Sequence, residues 1–402
     1  MPISRRSFMT SAAFGAGMLA GAGMNMAQAP NTIAGFDDMK TDIDTSTTWQ
    51  QKHDRKIKMG LVGFGVCQFG TAFNLQHHPN VEIVAVSDLF PDRCSAMAKV
   101  AKCEKTYPSL EEMVKDDSIE AIFLGTDAPS HAQHALEVMK HGKHVGTAVP
   151  ATWGNLEEAD MLYEMVKKTG LNYMMFETSA YHDNLYAMRQ IYNAGGFGKL
   201  IYIEGEYYHY FSIPLAGYKE WRTGLPPQWY PTHSNAYYVC VTGGSFTEVS
   251  CMGNRSIVPH LMPENNAYKN PFGSEVALFR TNEGGMARMV VAWDLPGIGG
   301  ETGRVNGQKG AFWTGPFQGV PEAKALVNGM NLKKPPLPPT VDSGGHGGSH
   351  GHLGNEFVMS ILEKRKPLVN IAWALNMTVA GIMAHKSALK NGELLKIPQY
   401  TF

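Results

Sequence analysis

From Ile57 onward, short apolar runs alternate with amphipathic stretches. Ile57–Val62, Val81–Ser87, Ile119–Gly125, Lys143–Gly146 and Asn172–Phe176 are almost continuous in apolar residues, as strands buried on both faces are. Helical spacing fills the intervals near Phe69–His78, Pro91–Ala101, Ser130–His141 and Asn155–Thr169. This βαβαβ order predicts a doubly wound parallel sheet. After about Glu177 the texture changes. A helix over His182–Ala194 ends at Gly195-Gly196. Then Lys199–Tyr210, Ser245–Cys251, Glu275–Thr281 and Gly285–Trp293 alternate like strands of an antiparallel or mixed sheet, with a hairpin turn at Asn282-Glu283-Gly284-Gly285. Lys333–Gly351 is rich in Pro and Gly and reads as a loop; Asn355–Lys364 and Ile371–Lys390 read as closing helices before an extended Ile397–Phe402 tail.

The N-terminus reads differently. Ser4-Arg5-Arg6-Ser7-Phe8-Met9 is a twin-arginine pattern, followed by an apolar, glycine-rich stretch to Gly23 and a small-residue Ala27-Gln28-Ala29 site. Residues 1–29 therefore read as an export signal and residues 30–55, with scattered Asp37, Asp38, Asp42 and Asp44, as a linker. The expected location is periplasmic or secreted. The apolar stretch is too short and too rich in glycine for stable membrane insertion. The rest exceeds one hydrophobic core, and 44% apolar residues in the whole chain suffice for two domains, at 56–178 and 179–402. A formal charge of −1, without a basic run after the signal, argues against a nucleic-acid partner and for a small neutral one. Five cysteines, odd in number and without paired short spacing, argue against a disulfide framework or zinc ribbon.

Gly63-Phe64-Gly65-Val66-Cys67-Gln68-Phe69-Gly70 lies between a predicted strand and a predicted helix, where a glycine motif binds a dinucleotide. Gly63 permits the tight turn and Gly65 the approach of a pyrophosphate. Gln68 takes the third position of the fingerprint, with Gly70 two residues on. Asp88 closes the second strand, 25 residues after Gly63, and its carboxylate suits ribose hydroxyls while repelling a 2′-phosphate. NAD is the cofactor expected, in a Rossmann domain.

Gly63–Gly70, Thr126-Asp127-Ala128-Pro129-Ser130-His131 and Gly142-Lys143-His144-Val145 followed by Pro150 resemble the Gfo/Idh/MocA family of sugar and polyol oxidoreductases. The resemblance implies a Rossmann domain followed by an α+β domain with a large open, mainly antiparallel sheet that carries the substrate site. It adds Phe64, Thr126, His131 and Pro150 to the cofactor residues, and a possible homo-oligomer. The chain departs from the family's Glu-Lys-Pro at Ala148-Val149-Pro150, so the family's lysine is absent. Glu177-Thr178-Ser179-Ala180-Tyr181, Trp221-Arg222, Tyr230-Pro231-Thr232-His233 and His352–Met359 look like the NAD-dependent glycosidases of glycoside hydrolase family 109.

That likeness implies a redox-neutral cleavage of a carbohydrate or glycoside: oxidation at C3, loss of the acidified C2 proton, elimination, water addition and re-reduction. Such a route needs proton-transfer groups near neutrality, natural for histidine and requiring a lowered pKa for tyrosine. His233 is expected as general acid/base, Tyr230 and Tyr181 as its partners, and Arg222, His209 and His352 as substrate contacts. His346, His350 and His352 tempt a metal reading. Glu356 is a carboxylate close by in sequence, but zinc needs further ligands in fixed geometry, and no metal is expected. Net sugar oxidation or keto-sugar reduction, and non-catalytic carbohydrate binding, are the alternatives.

Overall fold

The computed structural model describes residues 49–297 and 299–401. The twin-arginine segment, the 1–29 signal and most of the 30–55 linker lie outside the described residues. The first sheet contains β1 (Ile57–Val62), β2 (Val81–Ser87), β3 (Thr106–Tyr107), β4 (Ala121–Leu124), β5 (His144–Thr147) and β6 (Tyr173–Met175). Their order is β3-β2-β1-β4-β5-β6, with every pairing parallel. All four residues of β4 are buried, as a strand covered on both faces requires. The order reverses beside β1, so a crevice opens past the carboxyl ends of β1 and β4.

The Leu156–Thr169 helix shows how local sequence sets these elements. Asn155 accepts from the amides of Glu157 and Glu158, acidic residues begin the helix, Lys167 and Lys168 end it, and Gly170 closes it at φ 66°. Elsewhere the pattern overreaches. The helix expected over Phe69–His78 is one turn, Phe69–Ala72, followed by a 3₁₀ turn at Leu75–His77. Asn74 breaks it at φ 57°, and its side-chain amide donates to the Asp342 carbonyl at 2.9 Å. A long-range bond thus overrides the local helical spacing.

The second sheet holds β7 (Leu200–Tyr208), β8 (Phe246–Arg255), β9 (Phe272–Thr281), β10 (Met286–Ala292), β11 (Gly300–Gly307), β12 (Gly310–Phe312), β13 (Gln318–Gly319) and β14 (Leu395–Lys396). They run in the order β13-β12-β11-β7-β10-β9-β8-β14, antiparallel except for β7 with β10. The β9–β10 hairpin forms where its turn was expected, with Gly284 at φ 84°. Strands β11 to β13 carry no clear alternating apolar signal because glycine occupies positions where side chains would mark a face.

Those glycines serve packing. Gly205 and Gly303 pair across β7 and β11. A Cβ on Gly205 would overlap the Ser234 carbonyl, and one on Gly303 the ring of Tyr237. Both obstacles belong to the Thr232–Thr242 helix, which therefore lies directly on the sheet with Thr232 through Val241 buried. Gly205→Ala must push this helix outward. A destabilisation of about 1–3 kcal/mol, the usual cost of overpacking, should appear in chemical denaturation; an unchanged midpoint would contradict this packing.

Candidate active site

The crevice past β1 and β4 encloses about 350 Å³, in the range of small-molecule sites. Gly63 turns at φ 93°, and a Cβ there would overlap the Gly125 carbonyl. Nothing stands within 4 Å of a Cβ placed on Gly65, so the loop is open where a phosphate would approach. Gly70 supplies the close helix–strand packing, since a Cβ there would meet the Gly63 carbonyl and Met97. Gln68, assigned to the fingerprint's third position, instead caps the Phe69–Ala72 turn at φ 48° and lines the crevice. Asp88 accepts from the amide of Phe64 at 2.6 Å and that of Phe90 at 2.9 Å. Its remaining lone pairs can serve ribose hydroxyls.

Thr126 lines the crevice and pairs with His134 at 3.0 Å. His131 is fully buried and faces the carbonyls of Pro150 at 2.8 Å and Thr126 at 3.2 Å. It stitches the loops after β4 and β5 together, so it and Pro150 shape the crevice from behind. Tyr218, Lys219, Trp221 and Arg222 form the opposite wall. The Arg222 guanidinium donates to the Cys67 sulfur at 3.5 Å and stacks over Trp221 at 4.2 Å. An open glycine turn, a carboxylate at the end of β2 and a basic far wall fit a dinucleotide.

Below this crevice lies a buried acid–base cluster. His233 is the second residue of the Thr232–Thr242 helix, which the two sheet glycines bring close. Its Nδ1 is 2.8 Å from Glu177 Oε1, 3.4 Å from Thr178 Oγ1 and 3.7 Å from Glu301 Oε1. Glu177 follows β6 and accepts from the Ser179 amide at 2.9 Å; Glu301 sits on β11 and accepts from the Ser179 hydroxyl. His182 Nε2 stands 3.5 Å from Glu301 Oε2. Burial alone would depress the His233 pKa, but Glu177 and Glu301 outweigh it and push the group up to about 9. Tyr207 packs edge-on against His233 at 4.7 Å, with Tyr230 at 5.6 Å. Tyr230 also stacks on Trp221 at 6.4 Å, which links the cluster to the crevice wall.

The expectation of a lowered tyrosine pKa is corrected: burial pushes Tyr230 and Tyr181 upward, so each phenol keeps its proton. Nor are Tyr181 and His352 placed with His233. They stack on each other at 5.3 Å, 12° from parallel, with Arg189 over Tyr181. After burial, the groups that act on the Tyr181 phenol are Glu356, Arg189, Arg365 and Tyr186, all outside the cluster. His209, just past β7, does face the cluster, 6.3 Å from Tyr207. Its charge and those of His233 and His182 are felt by His346.

Glu301 and His182 escaped the sequence reading, and His346 was weighed only as a metal ligand. Glu301 lies in a glycine-rich strand, and one-dimensional spacing does not order the three histidines of the 346–352 region. Glu177, His233 and Glu301 bring three donor atoms within 4.8 Å of one another, close enough to share a cation. Their mutual ion pairs make them an acid–base group without one. His346, His350 and His352 do not converge: the first two bond each other at 2.8 Å, and the third stacks elsewhere.

Residues 57–177 match the model of an oxidoreductase family with an NAD-binding Rossmann fold. Glycosyl hydrolase family 109 protein 1 of Bacteroides fragilis is 28% identical over 162 residues, 38% of this chain and 35% of that protein. A glycosyl hydrolase family 109 protein of Saccharopolyspora erythraea is 28% identical over 256 residues, 58% of this chain and 53% of that one. The matched stretches thus span between a third and about half the length of these relatives. Among solved structures, scyllo-inositol dehydrogenase from Lactobacillus casei, with bound NAD(H) and scyllo-inositol, superposes with a TM-score of 0.65 at 16% identity, covering 85% of this chain and 99% of that one. Levoglucosan dehydrogenase, in complex with NADH and L-sorbose, gives 0.68 at 16% identity, covering 86% and 100%. At such identities the likeness shows a shared fold.

Asp88→Asn should weaken NAD binding and relax discrimination against NADP in titrations of both nucleotides; an unchanged preference would leave Asp88 a purely structural role. The His233 pKa is raised from 6.5 to about 9 in the folded protein. Its protonation therefore stabilises the fold fully below about pH 6.5, and that contribution is lost as pH rises through about 9. Melting temperatures should fall over this window in the wild type, with a shallower fall in His233→Gln. Parallel pH curves would contradict the charged pairing.

Proposed function

Because the chain carries, over residues 57–177, the NAD-binding Rossmann domain of the Gfo/Idh/MocA oxidoreductases, we propose that it interconverts a ring hydroxyl and a ring ketone of a carbohydrate, with His233 moving the hydroxyl proton. The observation that carries this reading is the position of His233, buried between Glu177 and Glu301 and joined to the nucleotide crevice through Tyr230 and Trp221. NAD, when bound, supplies the two-electron acceptor and donor for the reacting carbon.

The remaining requirements fall on side chains. Where the family has its lysine, this chain has buried Val149, and His233 is the acid–base group that takes its place. With its pKa near 9, His233 is charged at neutral pH and suited to giving a proton to a carbonyl oxygen. Taking a proton from a hydroxyl requires the neutral ring, so alcohol oxidation gains rate as pH rises toward 9. Tyr230 offers a neutral hydroxyl as donor to a substrate oxygen. Arg222 supplies a fixed guanidinium fork at the boundary between crevice and cluster.

Glycoside cleavage through that ketone is the finer reading. It is favoured by Tyr230-Pro231-Thr232-His233 and by the family 109 relatives. A C3 ketone acidifies the C2 proton, the C1 substituent leaves, water adds and the ketone is reduced again. This net redox-neutral cycle suits a protein working outside the cytoplasm, the location proposed from the twin-arginine pattern, because it needs no soluble nucleotide pool.

The test is turnover of nitrophenyl glycosides and free sugars by protein carrying its own NAD, in deuterated water. Released sugar with deuterium at C2 supports cleavage; NADH accumulation without aglycone release supports a dehydrogenase. His233→Ala should slow either reaction by a factor on the order of 10² to 10⁴. Sugar binding without turnover, or full activity in His233→Ala, would defeat the proposal.

A further inference from the structure

Between β7 and the Thr232–Thr242 helix the chain makes a long excursion, and one residue holds both ends of it. The Phe211 amide donates to the Trp293 carbonyl at 2.8 Å, and the Trp293 indole donates to the Leu225 carbonyl at 3.0 Å. The buried Trp293 ring also stacks on Phe211 at 5.0 Å. Residues 211–225 thus leave and rejoin the second sheet at a single point, as an Ω-loop does.

The loop crosses the mouth of the nucleotide crevice. Tyr218 meets Phe90, just after β2, edge-on at 6.2 Å. Trp221 meets Trp153, in the loop after β5, at 5.2 Å, and Arg222 donates to Cys67 in the glycine loop at 3.5 Å. The excursion is therefore a strap over the carboxyl ends of β1, β2 and β5, the edge where an open α/β sheet binds its ligand. Lys219 and Arg222 both line the crevice. The helix after the glycine loop is a single turn, Phe69–Ala72, so few aligned peptides face a pyrophosphate. The two strap cations supply the positive charge that so short a helix lacks.

Two features set this strap apart from a fixed wall. Lys219 and Glu220 adopt left-handed conformations in succession, at φ 51° and 54°, which residues other than Gly, Asn and Asp rarely do. Such backbone persists where surrounding contacts enforce it, and it collects in clamps and switches. The strap also has space behind it. A cleft of about 630 Å³ lies between Glu220 and Thr223 of the strap and Pro259, His260 and Asn265. Ala216 and Gly217 border this cleft and the crevice alike. The returning half is tied down, because Tyr268 donates to the Trp221 carbonyl at 2.7 Å and Asn270 to the Gly224 carbonyl at 3.3 Å. The part with room to swing is consequently 212–220, which carries Tyr218 and Lys219.

We propose that residues 212–220 form a clasp on the dinucleotide. Closed, Tyr218 and Lys219 retain the nucleotide against the loop after β2; exchange requires the clasp to withdraw into the rear cleft. Gating of this kind slows entry and escape together. The inference rests on the nucleotide crevice and is independent of the carbohydrate chemistry proposed above.

The test is stopped-flow fluorescence of NADH with the full chain, reading association on mixing and dissociation during a chase with excess NAD. Tyr218→Ala should raise both rates by a factor of about 2 to 10, the size of one aromatic edge contact, with a smaller change in Kd than in the dissociation rate. Asn265→Trp fills the rear cleft from an exposed position and should slow both rates several-fold. Thermal melting verifies that each variant is folded, and Tyr218→Leu replaces Tyr218→Ala if the latter is not. Faster dissociation with unchanged association in the Tyr218 variant describes a fixed wall and overturns the clasp. Wild-type rates in either folded variant overturn it too. Wild-type protein that binds no NADH defeats the nucleotide reading itself and the clasp with it.

Discussion

The pairing of one imidazole with two buried carboxylates is the constraint around which the second half of the chain is arranged. Charged groups removed from water carry a desolvation cost that only close, well-partnered geometry offsets. Here the partners come from three separate places: Glu177 from the loop after β6, Glu301 from β11, and His233 from a helix start. Ser179 holds the arrangement together, donating its amide to Glu177 and its hydroxyl to Glu301. For these groups to meet, the Thr232–Thr242 helix must press on the sheet without side chains between, which Gly205 and Gly303 permit. The glycine pattern that obscured β11 in the sequence is thus what makes the cluster possible.

The first half was legible from the chain because parallel strands buried on both faces leave continuous apolar runs. The turn at Gly63 and the carboxylate at Asp88 follow from strand ends alone, and both line the crevice. The second half was legible only in outline. Alternation at β7, β9 and β10 is clear, yet β11 to β13 are polar and glycine-rich. The helix at His350–Leu362 begins well before the expected Asn355, because Gly351 and Gly354 face the carbonyls of Asp342 and Phe73. Site residues followed the same division. His233 and Tyr230 were found from a local motif, whereas Glu301 and His182 join the cluster only through tertiary contact. Tyr181 and His352 belong to recognisable motifs, but packing, which motifs do not encode, stacks them on each other with Arg189 over Tyr181.

The two sheets are tied together at the proposed reaction centre. Phe73, at the end of the turn that leaves the glycine loop, packs on the His350 ring at 4.6 Å, and that ring bonds His346 at 2.8 Å. Asn74 bonds the Asp342 carbonyl in the loop that precedes them. Arg222 reaches from the opposite wall to Cys67 in the glycine loop. Movement of the glycine loop would therefore be felt by the histidines on one side and by Tyr230 on the other, giving nucleotide binding a physical route to the acid–base groups.

Two carboxylates hold His233 as a buried cation beside the nucleotide crevice. Heteronuclear NMR of protein labelled with ¹⁵N at histidine, followed from pH 5 to 10, reads that state directly, with His233→Gln identifying the signal. The expected result is a ring that stays charged through neutrality and titrates near pH 9. A His233 resonance that is already neutral at pH 7, or that titrates at the ordinary value near 6.5, would contradict it.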